Sequence, residues 1–521
     1  MLLTRRNILC ALLVGLLGCS PHAPLLLNHP AAKAQEASTG VTYELTPLPQ
    51  RSSREMLVAM HIPVEDPSTP ISLQMPVWAP GDYHVQNFAL YVRNLRAVEE
   101  DGGESVHTLA VSHPDQNTWK ITPGTAHKIL VTYALPEEPP GLFSQNAQVL
   151  PDQAFVNGPA AYMYIVGHKD VPATLIAHVP VGWDVVVALP HAHDFPPETP
   201  AYTAPDYDTL ADSPVVMMAN NAVVTREFKL KGVTHLIVLF GQPDRVSDPD
   251  AYVPVLQKIA QAENTIMGVT PYARYDFLFD IGGVGGGLEH LNCCRIGFPG
   301  QPAYLGALAA HEFFHLWNVK RIRPRVLGPF DYIHPPHTRN LWFCEGVTEY
   351  YAHIALRRSG QTTLEEFLNH WRRAIEGLQS NPARLKVTAD ESSLRVWEAD
   401  NSEGYGGLSY YQKGELIGLC MDLAIRHATN NRSSLDTMMR LLMERYGLPK
   451  PGYGEDDLRA VFSEVAGKDL SALYDLMARS TEEMPFKECL GYAGLDTDLN
   501  PLPDASPEQI ALRKSWMAGP P

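Results

Sequence analysis

Hydrophobic residues in the first half of the chain occur in short runs that are typical of β-strands. The clearest runs are residues 56–62, 162–166, 183–187 and 235–240. They are rich in β-branched or aromatic residues and are bounded by proline, glycine or aspartate. This pattern predicts a β-rich N-terminal domain over residues 36–245, without internal repeats.

The period of the hydrophobic positions changes after about residue 250. A strand is predicted at residues 275–281, directly before a glycine-rich run at 282–287. That run lacks the spacing of a nucleotide-binding loop. We therefore interpret its glycines as positions where a strand edge comes close to a bound ligand.

Helical periods dominate the last third of the chain. Thr362-Thr363-Leu364-Glu365 predicts a capping box before a helix that ends near Leu378. Further helices are predicted at residues 409–427, 433–446, 455–466 and 469–480. The fold class is therefore α+β. The β-rich domain is followed by a second domain over residues 246–500, helical from about 360, and by a tail over 501–521.

Residues 310–317, AHEFFHLW, contain two histidines four positions apart. On a helix, His311 and His315 lie one turn apart on the same face, so both imidazoles can reach one Zn²⁺ ion. Glu312 leans to the side of that ion, where a general base for an activated water belongs. The alternative interpretation is an ordinary amphipathic helix with two hydrogen-bonded histidines, because an HExxH string also arises by chance.

A third metal ligand is predicted in residues 341–351, LWFCEGVTEYY. Glu345 lies 30 residues after His315, and four prolines in the interval allow the chain to turn back. Glu345 would complete a His₂Glu set with an open fourth position. Glu349, one turn later, would hold the outer ring nitrogen of a ligand histidine. The alternative for this pair is a solvated acidic helix face, which the flanking aromatic residues disfavour.

These two segments resemble the glycyl aminopeptidase family of zinc metallopeptidases, which belongs to the thermolysin-like group. Residues 286–290 resemble the family's GGLEH segment, and residues 410–415 resemble its Tyr-x-Lys-Gly segment. The likeness runs from about Tyr43 to Leu495. It implies a thermolysin-like peptidase domain, one Zn²⁺ per chain, and peptide substrates that begin with Gly or Ala. The family often carries a PDZ domain near this end, and we expect none after Leu495.

The resemblance extends to residues outside the metal set. It implies that Tyr411 donates a hydrogen bond to the oxyanion of the reaction. The alternative is a core tyrosine, and Tyr410 leaves the register open. Glu289 is predicted to bind the free α-amine of the substrate, and Gly287 is predicted to let the peptide come close. The alternative for Glu289 is a surface acid at the end of a strand.

Two other segments receive structural interpretations. Residues 78–83, WAPGDY, resemble a family segment, and we interpret them as a turn with a buried tryptophan. The basic run Lys320, Arg321, Arg323 and Arg325 could pair with a peptide carboxylate. We favour a role at a helix C-terminus, where cations interact well with the helix dipole.

Residues 1–35 predict an export signal and a linker. Arg5-Arg6 precede an apolar core that is too short to span a bilayer, and residues 4–9 resemble a twin-arginine signal. Residues 16–19, LLGC, resemble a bacterial lipobox that would attach a lipid to Cys19. The competing interpretation is cleavage after Ala34, which would give a free protein. We favour a lipid-anchored, exported bacterial protein of the periplasm or cell envelope.

The net charge of −17 makes nucleic acid an unsuitable partner. The expected partner is a peptide, with membrane contact only through the lipid, and the sequence does not indicate an oligomeric state. Five cysteines follow the leader, which leaves room for one or two disulfides. Cys344 is conceivable as a nucleophile but is more simply a buried small residue.

Three functions are compatible with these residues. The first is a zinc aminopeptidase that removes small N-terminal residues, with Glu312 as general base. The second is a zinc endopeptidase of the same fold, which would not need Glu289. The third is a non-catalytic cell-surface binding protein, which the presence of every catalytic residue type disfavours.

Overall fold

The computed structural model describes residues 40–100, 107–138, 147–298, 300, 305–399 and 404–519. The predicted export segment, with Cys19, lies outside these ranges. The α+β class is confirmed, because a β-rich N-terminal domain precedes a largely helical region. Each of the two parts has its own large hydrophobic core.

Three sheets and two short helices form most of the N-terminal domain. The strands are β1 Val41–Pro47, β2 Glu55–Pro63, β3 Ile71–Gln74, β4 Arg93–Glu99, β5 Ala110–Asp115, β6 Thr118–Thr122, β7 Lys128–Pro136, β8 Ala147–Val149, β9 Gln153–Val156, β10 Tyr164–Ile165, β11 Ala173–Ala177, β12 Trp183–Val186, β13 Ala201–Ala204 and β14 Val215–Ala219. The helices are α1 Gly158–Ala161 and α2 Tyr207–Ala211. The sheet orders are β13-β11-β1-β2-β7-β4, β10-β3-β6-β5 and β12-β14-β9-β8. Side chains of β1 and β2 alternate between buried and half-buried, so one face of the largest sheet covers the core.

The predicted strands at 56–62 and 183–187 are confirmed as β2 and β12. The predicted strand at 162–166 is wrong over most of its length, since β10 contains only Tyr164–Ile165. The reason is local. The Tyr162 N–H donates to the Gly158 carbonyl and ends helix α1, so the chain becomes extended only afterwards.

A fourth sheet supports the candidate site. Its strands are β15 Val224–Leu230, β16 Val233–Gly241, β17 Arg274–Ile281, β18 Gly286–Glu289 and β19 Cys293–Phe298, in the order β15-β16-β17-β19-β18. The central strands β16, β17 and β19 are parallel, and β18 pairs antiparallel at the edge. Strands β15 and β16 precede residue 245, so this sheet includes residues on both sides of the predicted domain boundary.

The remaining described elements are helical. They are α3 Tyr252–Met267, α4 Gly306–Phe314, α5 Val347–Arg358, α6 Leu364–Ser380, α7 Ala389–Leu394, α8 Tyr410–Ala428, α9 Leu435–Tyr446, α10 Asp457–Ala466, α11 Ser471–Tyr474, α12 Phe486–Tyr492 and α13 Pro507–Ala518, with π-helical turns at Trp342–Gly346 and Asp475–Arg479. The predicted helices therefore exist, with ends displaced by a few residues. Among the described residues, no helix is both long and apolar enough to cross a membrane.

Two predictions about helices need correction. The capping box of α6 begins at Thr363, whose side chain accepts from the Glu366 N–H, one residue later than predicted. This register turns Phe367 and Trp371 into the core. The segment 501–521 is not merely a tail, because helix α13 buries Trp516, whose Nε1 donates to the Tyr350 hydroxyl at 3.1 Å.

Two glycines let helix α8 lie directly against the turn that carries Glu345. A Cβ atom on Gly414 would lie 2.2 Å from the carbonyl oxygen of Trp342. A Cβ atom on Gly346 would lie 2.4 Å from the Gly414 Cα. Both positions exclude any larger residue without a backbone shift. This contact brings the N-terminus of α8, with Tyr411, close to Glu345.

Cysteine pairing differs from the expectation. The five cysteines of the described ranges are buried free thiols, so the one or two disulfides left open by the sequence are not formed. Burial is the main cause that raises the pKa of the Cys344 thiol well above its ordinary value, which makes it a poor nucleophile. The interpretation of Cys344 as a buried small residue agrees with this environment.

Candidate active site

Three predicted ligands converge between helix α4 and the π-helical turn. His311 Nε2 and His315 Nε2 lie 3.0 Å apart. The Glu345 Oε2 atom lies 3.5 Å from the first nitrogen and 3.1 Å from the second. All three side chains are buried. The structure therefore brings together the predicted His₂Glu set.

The environment of these three side chains fits a bound cation. His311 Nδ1 lies 2.8 Å from the Glu349 carboxylate, and His315 Nδ1 lies 2.7 Å from the Asn318 carbonyl oxygen. Because these acceptors hold the ring protons at Nδ1, the lone pairs of both Nε2 atoms point at each other and at a carboxylate. Two lone pairs and an anionic oxygen repel one another unless a cation lies between them. Burial raises the pKa of Glu345, but positive charge at the position of the two imidazoles outweighs it and lowers the pKa to about 2, so a cation there keeps this carboxylate ionised.

Glu312 lies beside the metal set and close to strand β18. A Cβ atom on Gly287 would lie 2.0 Å from Glu312 Oε1, so the absence of a side chain at Gly287 makes room for this carboxylate. Glu312 Oε2 is buried without a hydrogen-bond partner among the described residues. Burial is the main cause that raises the pKa of Glu312 to about 7. A carboxylate in this state can both take up and release a proton near neutral pH.

Glu289 ends strand β18 and faces the same space. Its carboxylate belongs to a group with Glu312 and His315 whose ligand atoms lie within 4.8 Å of one another. Glu289 is buried, and its Oε1 atom has no hydrogen-bond partner in the described part of the chain. The alternative interpretation as a surface acid is therefore wrong. Its free oxygen can accept a hydrogen bond from a cationic group.

The N-terminal domain covers Glu289 with the loop at residues 78–83. A Cβ atom on Gly81 would lie 2.6 Å from Leu288 Cδ1 and 2.8 Å from Glu289 Oε2. Gly81 also has a φ of 93°, which favours glycine. Trp78 is buried, as predicted. The interpretation as a turn with a buried tryptophan is confirmed but incomplete, since the loop also forms a wall of the site.

Tyr411 and Tyr410 occupy different positions at the start of α8. The Tyr411 ring lies against the His311 ring, with a centroid distance of 6.0 Å and an interplanar angle of 28°. Tyr411 is half-buried, whereas Tyr410 is fully buried. Burial raises the pKa of Tyr411 well above its ordinary value and keeps the hydroxyl protonated as a donor. Tyr411 is therefore the better placed of the two for the predicted oxyanion contact.

Lys320 does not have the favoured role at a helix terminus, and Arg321 has it only in part. Lys320 Nζ lies 2.8 Å from Asp212 Oδ1 in a buried ion pair with the N-terminal domain. Arg321 donates to the carbonyls of Leu316 and Leu291, at 2.8 and 2.9 Å. Only the first of these carbonyls lies near the end of α4. These cations hold loops and the two domains together instead.

Sequence reasoning missed two residues of the site. His353 Nε2 lies 3.1 Å from Glu349 Oε1, so Glu349 contacts a histidine through each of its oxygens. The four-residue spacing of Glu349 and His353 was available as a signal. Tyr83, from the N-terminal domain, is buried beside Glu345 and Glu289. The resemblance of residues 78–83 to a family segment was a signal for Tyr83, but no local pattern marks its contact with residues so distant in sequence.

Sequence comparisons identify two matching family profiles. The profile of the M61 glycyl aminopeptidase family matches residues 305–417, which include the metal set and Tyr411. The profile of the peptidase M61 N-terminal domain matches residues 43–219. Together the two profiles match more than half of the chain. A search of curated proteins found no match.

Solved structures share the fold. An aminopeptidase N family protein from Idiomarina loihiensis superposes with a TM-score of 0.78 at 24% identity, over 87% of this chain and 78% of that one. An M1 zinc metallopeptidase from Deinococcus radiodurans gives a TM-score of 0.52 at 13% identity, over 90% of this chain and 97% of that one. A mutant of that enzyme, bound to a Tyr-Ser-Ala substrate, gives 0.54 at 14% identity, over 86% and 95% of the two chains.

The contact between Glu349 and His311 generates a prediction about metal affinity. Glu349→Ala should weaken Zn²⁺ binding about 10–100-fold, because the ring of His311 loses the acceptor that orients it. Glu349→Gln should lose less, since its amide oxygen still accepts from Nδ1. The dissociation constant would be measured by competition with a chromophoric chelator.

Glu365→Ala provides a matched control, because Glu365 is an exposed glutamate in the first turn of α6. It should bind Zn²⁺ like the wild-type protein. Equal affinities for the Glu349→Ala and Glu365→Ala proteins would contradict the role assigned to Glu349.

Proposed function

Because the chain belongs to the M61 glycyl aminopeptidase family of metallopeptidases, we propose that it is a zinc-dependent aminopeptidase. It releases small N-terminal residues such as Gly and Ala from peptides. The observation that carries this proposal is the buried Glu289 carboxylate, which has a free oxygen beside the metal set and the general base. An α-ammonium group that enters a buried site needs a carboxylate partner of this kind.

His311, His315 and Glu345 would hold the Zn²⁺ ion, with Glu349 and the Asn318 carbonyl orienting the two imidazoles. When bound, the ion supplies Lewis-acid chemistry, since it polarises a carbonyl group and lowers the pKa of water. A set of three protein ligands is typical of catalytic rather than structural zinc sites.

The protein's own residues perform the proton transfers. Glu312 takes a proton from the attacking water and delivers it to the nitrogen of the leaving amine. Its burial, which raises the pKa of the carboxyl group, favours a group that can both take up and release a proton. Tyr411 donates a hydrogen bond to the oxygen that becomes negative during the attack. Gly287 keeps the edge strand clear of the Glu312 side chain.

Glu289 and the loop at residues 78–83 that covers it favour an aminopeptidase over an endopeptidase. An endopeptidase must admit a chain that continues on both sides of the cleaved bond. Here the loop with Gly81 lies against the Glu289 carboxylate, so the N-terminal domain forms a wall at the place where the α-ammonium group would bind. The Tyr-Ser-Ala substrate of the Deinococcus radiodurans mutant supports the assignment of peptides as substrates.

Glu312→Gln tests the assignment of the general base. Glutamine keeps the shape of the side chain but cannot accept the proton, so hydrolysis should become undetectable while Zn²⁺ content stays at the wild-type level. Peptide hydrolysis and zinc content would be measured on the same preparation. Retention of full activity by Glu312→Gln would sink the mechanism.

Glu289→Ala tests the recognition of the α-amine. The kcat/KM for Gly- and Ala-headed peptides should fall on the order of a hundredfold or more, because a buried charge pair is lost. Zn²⁺ should stay bound, since Glu289 is not one of the three ligands.

N-acetylated versions of the same peptides provide the control. Any residual cleavage of these blocked peptides should be unchanged by Glu289→Ala or should rise, because they carry no ammonium group. An equal decrease of kcat/KM for free and blocked peptides would mean that Glu289 acts in the reaction step or stabilises the fold instead of binding the α-amine. Efficient cleavage of blocked peptides by the wild-type protein would favour the endopeptidase alternative.

We also propose export and a lipid anchor at Cys19, on the basis of the leader sequence alone. Cys19→Ser should abolish labelling with a fatty-acid probe and release the protein from bacterial membranes, because one residue carries the anchor. Recovery of the wild-type protein in soluble form with Gln35 as its first residue would disprove the anchor and support cleavage after Ala34.

A further inference from the structure

A cavity of about 310 Å³ lies between the two domains and shares Glu289 with the active site. Trp78 of the N-terminal domain and Phe330 of the catalytic region form apolar parts of its wall. Pockets of this size usually hold a whole small ligand. The hydrogen atom of glycine or the methyl group of alanine would fill only a small part of it.

Most charged side chains in the wall are already paired. Lys320 is bound to Asp212 at 2.8 Å, and Lys169 lies 3.6 Å from Asp208. Asp206 accepts a hydrogen bond from the Thr209 N–H at 2.7 Å. Among the described residues of the wall, Asp208 and Asp212 therefore have cationic partners, whereas Asp206, Glu289 and the exposed Asp170 have none within 4.0 Å.

Arg323 is the cation of the wall that lacks such a partner. Within the described ranges, no carboxylate oxygen lies within 4.0 Å of its guanidinium group, although other basic residues of the wall have such contacts. Its Nε atom is buried without a hydrogen-bond partner in those ranges. Asp208, Asp212 and Asp206 act on this guanidinium group from beyond 4.0 Å, so a carboxylate that entered the cavity would form its first direct ion pair.

The Arg323 side chain is held in a defined position. Its guanidinium carbon lies 5.6 Å from the centre of the Phe330 ring, within the range of a cation–π contact. A Cβ atom on Gly328 would lie 2.1 Å from the same carbon, so only glycine allows this packing. The group is therefore part of a built wall rather than a mobile surface side chain.

We propose that this cavity receives the side chain of the substrate's first residue and that Arg323 selects a carboxylate there. Glu289 binds the α-ammonium group, and Arg323 binds the side-chain carboxylate of an N-terminal Asp or Glu. The enzyme then prefers these residues to their neutral isosteres Asn and Gln, in addition to accepting Gly and Ala. This inference rests on the proposed aminopeptidase function.

The test compares isosteric substrates. Tripeptide amides of the form X-Ala-Ala would be used, with Glu, Gln, Asp, Asn, Lys, Gly or Ala as X. C-terminal amidation removes the only other carboxylate, so binding of a peptide C-terminus by Arg323 cannot produce the result. For the wild-type protein, kcat/KM for Glu should exceed that for Gln about tenfold or more, since only Glu pairs with the guanidinium.

Variants of Arg323 connect the preference to the cavity. Arg323→Gln should bring the Glu-to-Gln ratio close to one, and Arg323→Lys should preserve part of it, because the charge remains without the planar fork. Arg325→Gln is the matched control. Arg325 is an exposed arginine two positions away that does not line the cavity, so the ratio should stay at the wild-type value.

The outcomes separate this inference from the proposed function. Hydrolysis of the Gly and Ala peptides with equal rates for Glu and Gln would overturn the inference alone. Faster cleavage of the Lys peptide than of the Glu peptide would overturn it too, and would assign the selectivity to the acids of the wall. No cleavage of any unblocked peptide would overturn the aminopeptidase function itself.

Discussion

The active site depends on the buried side chain of Asn318, which connects the two segments that carry the metal ligands. Its amide nitrogen donates to the Cys344 carbonyl at 3.3 Å and to Thr348 Oγ1 at 3.1 Å. Its backbone carbonyl lies 2.7 Å from His315 Nδ1. Since Glu345 directly follows Cys344, one residue controls both the orientation of a histidine and the place of the distal carboxylate. Helix α8 then packs on the same turn through two glycines, so these constraints reach as far as Tyr411.

The electrostatics of the site explain why this framework has to be rigid. Glu289, Glu312 and Glu345 point into one buried space, where like charges repel strongly because little water separates them. Burial and the neighbouring carboxylates together raise the pKa of Glu312, as repulsion of this kind requires. Two cations would relieve the repulsion, one between the histidines and Glu345 and one at Glu289. The proposed Zn²⁺ ion and the ammonium group of a substrate would supply positive charge at these two places.

Local spacing in the sequence was sufficient to predict the metal set. His311 and His315 share a helix face because they are four residues apart. Glu345 can reach them because the prolines before it allow the backbone to turn back towards the helix. The register of Tyr410 and Tyr411 could not be read in the same way, because it depends on the contact between Gly414 and the π-helical turn. The capping box of α6 begins one residue later than predicted for a similar reason, because the packing of Phe367 and Trp371 in the core fixes the register of the helix.

Contacts between the domains were beyond sequence reasoning altogether, and they bear most directly on specificity. Gly81 covers Glu289, and Asp212 neutralises Lys320, yet each pair is separated by more than a hundred residues. A zinc site on α4 alone is compatible with cleavage anywhere along a peptide. The N-terminal domain adds the loop that covers Glu289 and a wall of the adjoining cavity. The catalytic region thus carries the residues of the peptidase chemistry, and under the proposed function the junction of the two domains selects the end of the peptide that reaches them.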